Sequence, residues 1–233
     1  MGELTTGTHK TLLPVGDRPI LSWMLQALKN NGINRILFTC GYQRGLLEKW
    51  VAEHFPELEV SWIENPDFSS TNTGYSVWLT REHALADDED LLLINGDVVL
   101  DRRAIAATLN AQGQNVLATR FDRVAAEEVK VRLDGNGVVT EIGKHIDPSD
   151  AAGESVGINR LSRPLLDLLF PTLEHRIRYG EGRREFYEHA FNELVNRGES
   201  FRTADVTELP VIEIDTPEDY ATARRHFASR LVE

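Results

Sequence analysis

The 233-residue chain is 41% hydrophobic and 27% charged, with a formal net charge of −12, the profile of a soluble globular protein large enough to bury one substantial core. No basic run tracks a phosphate backbone, which argues against nucleic-acid partners, and no aliphatic run approaches the roughly 20 residues that span a bilayer. An anionic substrate gains nothing from the overall field, so it needs a local Lys/Arg cluster or a metal ion. Met1 is followed by polar residues rather than a secretory apolar segment, and Cys40, the single cysteine, has no internal partner. Both fit a cytoplasmic protein.

Helical and strand-like patterns alternate from the start. "RPILSWMLQALKNNGI" (18–33) places Ile20, Leu21, Met24, Leu25 and Leu28 on one helical face and stops at Asn31-Gly32. "RILFTCGY" (35–42) reads as a buried strand, "GLLEKWVAEHF" (45–55) as an amphipathic helix halted by Pro56, "EVSWIEN" (59–65) as a strand and "GYSVWLTREHAL" (74–85) as a helix. The strand "LLLI" (91–94) follows. This alternation predicts an α/β fold with a parallel sheet covered by helices on both faces. After residue 115 the texture changes to short strands, with Asp134-Gly135-Asn136-Gly137 marking a hairpin. Helices are expected over roughly 162–174 and 184–197, then a strand "LPVIEID" (209–215) and a helix over 216–231 with Thr216 as N-cap and Pro217 in the first turn. No repeat, linker or low-complexity tract interrupts residues 1–233, so one domain is expected, its acceptor-binding portion at roughly 115–208.

"LLLINGDVVLD" (91–101) drives an apolar strand into Asp97 before the apolar residues resume. A carboxylate there is costly to desolvate unless compensated, so Asp97 either caps a turn or holds a cation. Asp215 repeats the arrangement, an acid at the end of an apolar strand and ahead of a helix. Ligands gather beyond the carboxyl ends of parallel strands. Two aspartates meeting there suit Mg²⁺, which takes one or two carboxylates plus substrate phosphates; two independent turn residues are the alternative. A third element, "HKTLLPVGDRPIL" (9–21), offers Lys10 as a compact charge for phosphate, or as an ordinary solvated lysine.

Together, "HKTLLPVGDRPIL", "LLLINGDVV" and "IEIDTPEDY" resemble the nucleotidyltransferase family that makes nucleotide-diphospho-sugars and related activated alcohols. The resemblance covers essentially the whole chain. Within the family it is greatest to bacterial CTP:phosphocholine cytidylyltransferases, through "NPDFSSTNTGYSVWLTREHAL" (65–85), "TEIGKHI" (140–146), "AAGESVGI" (151–158), "FYEHAFNEL" (186–194) and "LPVIEIDTPEDY" (209–220). It implies a Rossmann-like, mixed but mainly parallel sheet and cytidylyl transfer from CTP, or another NTP, to phosphocholine or a similar small phospho-alcohol or phosphonate. By the same resemblance, Asp97 and Asp215 ligate Mg²⁺, Lys10 contacts the phosphates and Lys144 holds the acceptor phosphate. Asn72, Tyr75 and Ser76 lie where the family contacts the base. Phe186, Tyr187, Glu188 and Glu213 match the residues of a cage for a quaternary ammonium, which is bound by aromatic faces and carboxylates because it has no N–H. Tyr187 also falls on a core-facing stripe with Ala190, Phe191 and Leu194, so one aromatic of the Phe186–Tyr187 pair is expected in the core.

The family normally opens with a strand and a glycine-rich loop carrying a catalytic arginine. This chain begins "MGELTTGTHK", resembling only the tail of that loop. The sheet is therefore expected to lack its usual first strand. A misassigned start is favoured over a decayed copy, because no other motif residue is eroded. A sugar-1-phosphate nucleotidyltransferase and a non-catalytic nucleotide-binding module are the alternatives. Self-association is left open.

Overall fold

The computed structural model describes residues 5–122, 124–227 and 229–231. Residues 1–4 of the opening segment lie outside this set, as does Ala228 of the expected C-terminal helix.

A helical turn at Lys10–Leu12 leads into a two-residue ladder between β1 (Pro14–Val15) and β2 (Arg18–Pro19), and then into α1 (Ile20–Asn30). All five residues predicted on the buried face of α1 are in the core, and Trp23 joins them by donating its indole N–H to the Val15 carbonyl. β3 (Arg35–Cys40), α2 (Arg44–His54) and β4 (Glu59–Glu64) form a βαβ unit whose strands pair in parallel. The helix expected at 74–85 is two: α3 (Thr73–Leu79) and α4 (Arg81–Ala84), separated at Thr80, whose hydroxyl donates to the Val77 carbonyl. β5 (Leu91–Ile94), β6 (Val98–Val99) and α5 (Arg102–Asn110) follow.

The larger sheet is built from β5, β7 (Asn115–Arg120), β8 (Lys130–Leu133), β9 (Val139–Gly143), β10 (Gly153–Leu161) and β11 (Phe201–Asp205). β10 runs against β5, β7 and β8, while β11 runs with β7. β5, β7, β8 and β11 therefore share one direction, and β10 is the reversed strand among them. This is the mixed sheet that the sequence predicts. The β8–β9 hairpin turns where expected, with Asp134 Oδ1 accepting the amides of Asn136 and Val138. Two helices, α6 (Arg163–Tyr179) and α7 (Glu188–Asn196), pack with α3 over an apolar cluster containing Leu117, Leu161, Leu166, Phe170, Phe191 and Phe201.

No ladder joins the β3–β4 pair to the larger sheet among the described residues. Within that set β3 pairs with β4 alone, and β5 with β10 alone. All four residues of β5 are half-buried, and Leu92 and Ile94 pack in the same cluster as Ile36 and Phe38 of β3. Among the described residues the sheet is thus in two pieces.

The C-terminal strand is shorter than 209–215: β12 covers Ile212–Glu213 and pairs antiparallel with β6. The terminal helix is also shorter, with α8 (Pro217–Thr222) running into a wider π-helical turn at Ala223–Phe227.

Candidate active site

The β6–β12 ladder places Val98 opposite Glu213 and Val99 opposite Ile212, and the Ile214 amide donates to the Asp97 carbonyl at 3.1 Å. Asp97 enters β6 and Asp215 leaves β12, so this register brings the two acidic ends side by side. Asp215 is not consumed in capping α8. Thr216 Oγ1 accepts the Asp219 amide, and Asp219 Oδ2 accepts the amides of Asp215 and Thr216, a reciprocal capping box.

Lys10 lies between the two acids, its Nζ 2.6 Å from Asp97 Oδ2 and 3.3 Å from Asp215 Oδ1. Its helical turn is fixed by His9, whose Nδ1 accepts the Thr11 amide at 3.2 Å. That bond requires an unprotonated Nδ1. Burial, then the neighbouring Lys10 charge, holds the imidazole below its ordinary pKa and so favours the neutral ring. Burial pulls on the Lys10 ammonium in the same sense, but the attraction of Asp97 and Asp215 outweighs it and the net shift is upward. Among the described residues the Asp97 side chain makes no turn-capping hydrogen bond, and it pairs with the Lys10 ammonium.

Glu213 extends the acidic wall. Burial, followed by repulsion from Asp97, raises its carboxyl to about 8. From Glu213 a single file of hydrogen bonds leads inward. Asn95 Nδ2 donates to Glu213 Oε1 at 3.0 Å, the Tyr187 hydroxyl donates to Asn95 Oδ1 at 2.9 Å, and Asn159 Nδ2 donates to the Tyr187 oxygen at 3.1 Å. Tyr187 is 1% exposed, so it enters the site through its hydroxyl and not through a ring face. Phe186 is the half-buried aromatic of the pair. The exposed Lys144 stands over its ring, Nζ 4.7 Å from the centroid. Glu188 is 6% exposed, and burial raises its carboxyl to about 7 against its backbone hydrogen bond, the Tyr187 hydroxyl and the charge of Lys144.

The residues expected to meet the base form a separate group with no hydrogen bond or ion pair to Lys10 among the described residues. Asn72 caps α3 through the Thr73 amide, and its own N–H donates to the Arg183 carbonyl. Tyr75 is buried under the Arg183 guanidinium, 4.2 Å from its ring centroid. Ser76 Oγ accepts from Asn65 Nδ2 at 3.1 Å. This group joins the acceptor segment directly, because Thr73 Oγ1 accepts the Tyr187 amide and the Gly74 amide donates to the Glu185 carbonyl. A Cβ on Gly74 would stand 2.8 Å from that carbonyl oxygen, too close for any side chain.

Sequence reasoning missed Asn95, Asn159 and Arg183. Asn95 reads as turn chemistry beside Gly96, and Arg183 as one of many surface arginines. Asn159 did leave a trace: it is the one amide in the otherwise apolar centre of "SVGINRLS".

Donors for a divalent cation are hard oxygens. Among the described residues, no group of three or more His, Cys, Asp or Glu side chains is set to hold a metal. Asp97 and Asp215 together offer two carboxylates, the number that Mg²⁺ takes beside phosphates and water.

Comparison with known proteins decides the family. Residues 1–172 match the model of the MobA-like NTP transferase domain. The chain belongs to the MobA-like NTP transferase family. Over 98% of its length this NTP transferase is 31% identical to the CMP-5'-(3-aminopropyl)phosphonate synthase of Streptomyces rubellomurinus, of which it spans 37%. Over 70% of its length it is 21% identical to the CTP:phosphoglutamine cytidylyltransferase of Campylobacter jejuni, spanning 68% of that protein. Its fold is shared with the CTP:phosphocholine cytidylyltransferase of Streptococcus pneumoniae, at TM-score 0.79 and 18% identity, covering 97% of this chain and 93% of that one. The inositol-1-phosphate CTP transferase of T. maritima is similar at TM-score 0.75 and 17% identity, covering 99% and 93%. Both structures confirm the α/β architecture of the NTP transferase. No helix among its described residues is long and apolar enough to cross a membrane.

Proposed function

We infer that the protein transfers a cytidylyl group from CTP to a small phosphorylated or phosphonate acceptor of the phosphocholine type, with release of pyrophosphate. The observation that carries this reading is the meeting of Asp97, Asp215 and Lys10 at the ends of β6 and β12 in a chain of this family. The names of two relatives, a CMP-phosphonate synthase and a CTP-dependent cytidylyltransferase, support the choice of CTP.

In the reaction, an oxygen of the acceptor phosphate or phosphonate attacks the α-phosphorus of CTP. A new P–O bond forms there as the bond to the bridging oxygen of pyrophosphate breaks. The acceptor oxygen is already anionic, so no strong base is required; positioning and charge neutralisation dominate. Asp97 and Asp215 would hold Mg²⁺, which supplies charge neutralisation on the triphosphate when bound. Lys10 turns from the carboxylates toward the phosphates. Lys144 and Phe186 line the entrance to the acceptor pocket, with Glu188 and Glu213 forming its acidic wall.

The test is pyrophosphate release from CTP, Mg²⁺ and a panel of phospho-acceptors. Turnover is expected with small zwitterionic acceptors and should fall at least about a hundredfold in Asp97→Ala and in Asp215→Ala. Silence with every acceptor overturns the enzyme reading. Turnover with glucose-1-phosphate alone replaces the acceptor class with sugar phosphates.

A further inference from the structure

Two large aromatic rings stand in solvent near the Lys10 centre. Tyr42 is 47% exposed and Phe68 46%, although rings of this size are ordinarily drawn largely out of water. Their centroids are 6.2 Å apart, and the ring of His9, the residue before Lys10, lies 6.2 Å from that of Tyr42. Both rings are mounted on braced segments. Asn65 ties the Phe68 loop together, its Oδ1 accepting the Asp67 amide and its Nδ2 donating to Thr71 Oγ1 and Ser76 Oγ. Asp67 is held in turn by Arg183 at 2.7 Å. On the other segment, a Cβ on Gly41 would lie 2.4 Å from Phe68 Cδ1, so the backbone beside Tyr42 packs directly on the second ring. Gln43 follows at φ +49°, the one non-glycine residue with positive φ among the described residues, a strain of the kind that collects at functional sites. The residues expected to meet the base are meanwhile spent on the α3 cap, on Arg183 and on Asn65.

Building on the cytidylyltransferase reading, we propose that Tyr42 and Phe68 form a platform on which the base of the nucleotide stacks while Lys10 meets its phosphates. The juxtaposition sets the ligand class. A nucleotide is a flat π-system at one end and a polyanion at the other, and the chain places exposed ring faces beside a cation. Every base has a π-face, so the platform supplies affinity and leaves the choice of base to other groups. Tyr42 and Phe68 are binding residues and take no part in the transfer itself.

The full chain, with Mg²⁺, is titrated calorimetrically with α,β-methylene-CTP, α,β-methylene-ATP and tripolyphosphate. Tyr42→Ala and Phe68→Ala should each weaken both nucleotides about tenfold and leave tripolyphosphate binding and the thermal midpoint unchanged. Tyr42→Phe, which keeps the ring, should retain the parental affinities. If Phe68→Ala lowers the midpoint by uncovering Gly41, the Tyr42 pair of variants decides alone. Parental nucleotide affinity in Tyr42→Ala, an equal loss for tripolyphosphate, or a loss confined to one base overturns the proposal. A parent that binds neither nucleotide overturns it together with the cytidylyltransferase reading. Ring-dependent nucleotide binding without pyrophosphate release from CTP and any acceptor upholds the platform and overturns the transfer reaction.

Discussion

Lys10 occupies the position that a divalent cation would need. Its ammonium satisfies Asp97 and Asp215 together, so a metal ion arriving alone must displace a bonded internal charge. Triphosphate offers Lys10 another anionic partner, and nucleotide and metal are expected to bind cooperatively. In Lys10→Gln, Mn²⁺ measured by electron paramagnetic resonance without nucleotide should bind about tenfold more tightly than in the parent, while turnover falls. Unchanged Mn²⁺ affinity would show that Lys10 is no competitor. Glu188 yields a second residue-scale prediction. Its carboxyl titrates near 7 in the fold against a reference of 4.5, so between those values the folded state holds a proton that the unfolded chain has released. Stability attributable to Glu188 therefore falls as pH rises through this window and levels off above it. The plateau penalty is on the order of 3 kcal/mol. Denaturant melts should find Glu188→Gln more stable than the parent at pH 8, with the difference shrinking toward pH 4.5; a gap of constant size would refute the burial argument.

Among the elements, β10 does the most to shape the site. Its register shifts between Ser155 and Asn159, and at Gly157 within that irregularity φ is +70°. A Cβ there would lie 2.7 Å from Asn95 Nδ2, so the bulge makes room for the amide that joins Tyr187 to Glu213. Gly157→Ala suffers both the left-handed backbone and the collision, and should cost about 2 kcal/mol in urea unfolding. A loss below about 0.5 kcal/mol would mean that Asn95 moves aside freely.

The same strand shows how much was legible in advance. Periodicity located α1 and α2 nearly to the residue, because their apolar stripes and stop signals agree. The acids at 97 and 215 stood out because a carboxylate interrupts an apolar strand in each case. The 74–85 helix breaks at Thr80 with no Gly or Pro to announce it, and a local hydroxyl–carbonyl bond replaces the continuing turn. The hydrogen-bond file was not readable at all. Its members come from β5's end, β10, the N-cap of α7 and β12, and only the packed fold sets them within reach of one another. Phe186 and Tyr187 were separable only as alternatives, since their core and ligand sides depend on how α7 meets β9.

At the scale of the molecule, the sheet is divided among the described residues, and there each piece keeps a strand with an unpaired edge, β3 in one and β5 in the other. The pieces are held together by apolar packing instead of ladder bonds: Ile36 and Phe38 share a cluster with Leu92 and Ile94. Such edges accept further strands readily. Packing rather than pairing also explains why the half-buried "LLLI" strand stays in place, as β10 supplies its one ladder and α1, α5 and their neighbours supply its apolar surroundings.

The active centre, finally, is closed from a great distance along the chain. Lys10 and Asp215 are 205 residues apart in sequence, and a two-residue ladder with one additional backbone bond draws the second acid home. The Lys10–Asp215 contact therefore reports on closure of the whole fold, since it forms only when the segments beside the first and the last of the described strands have met.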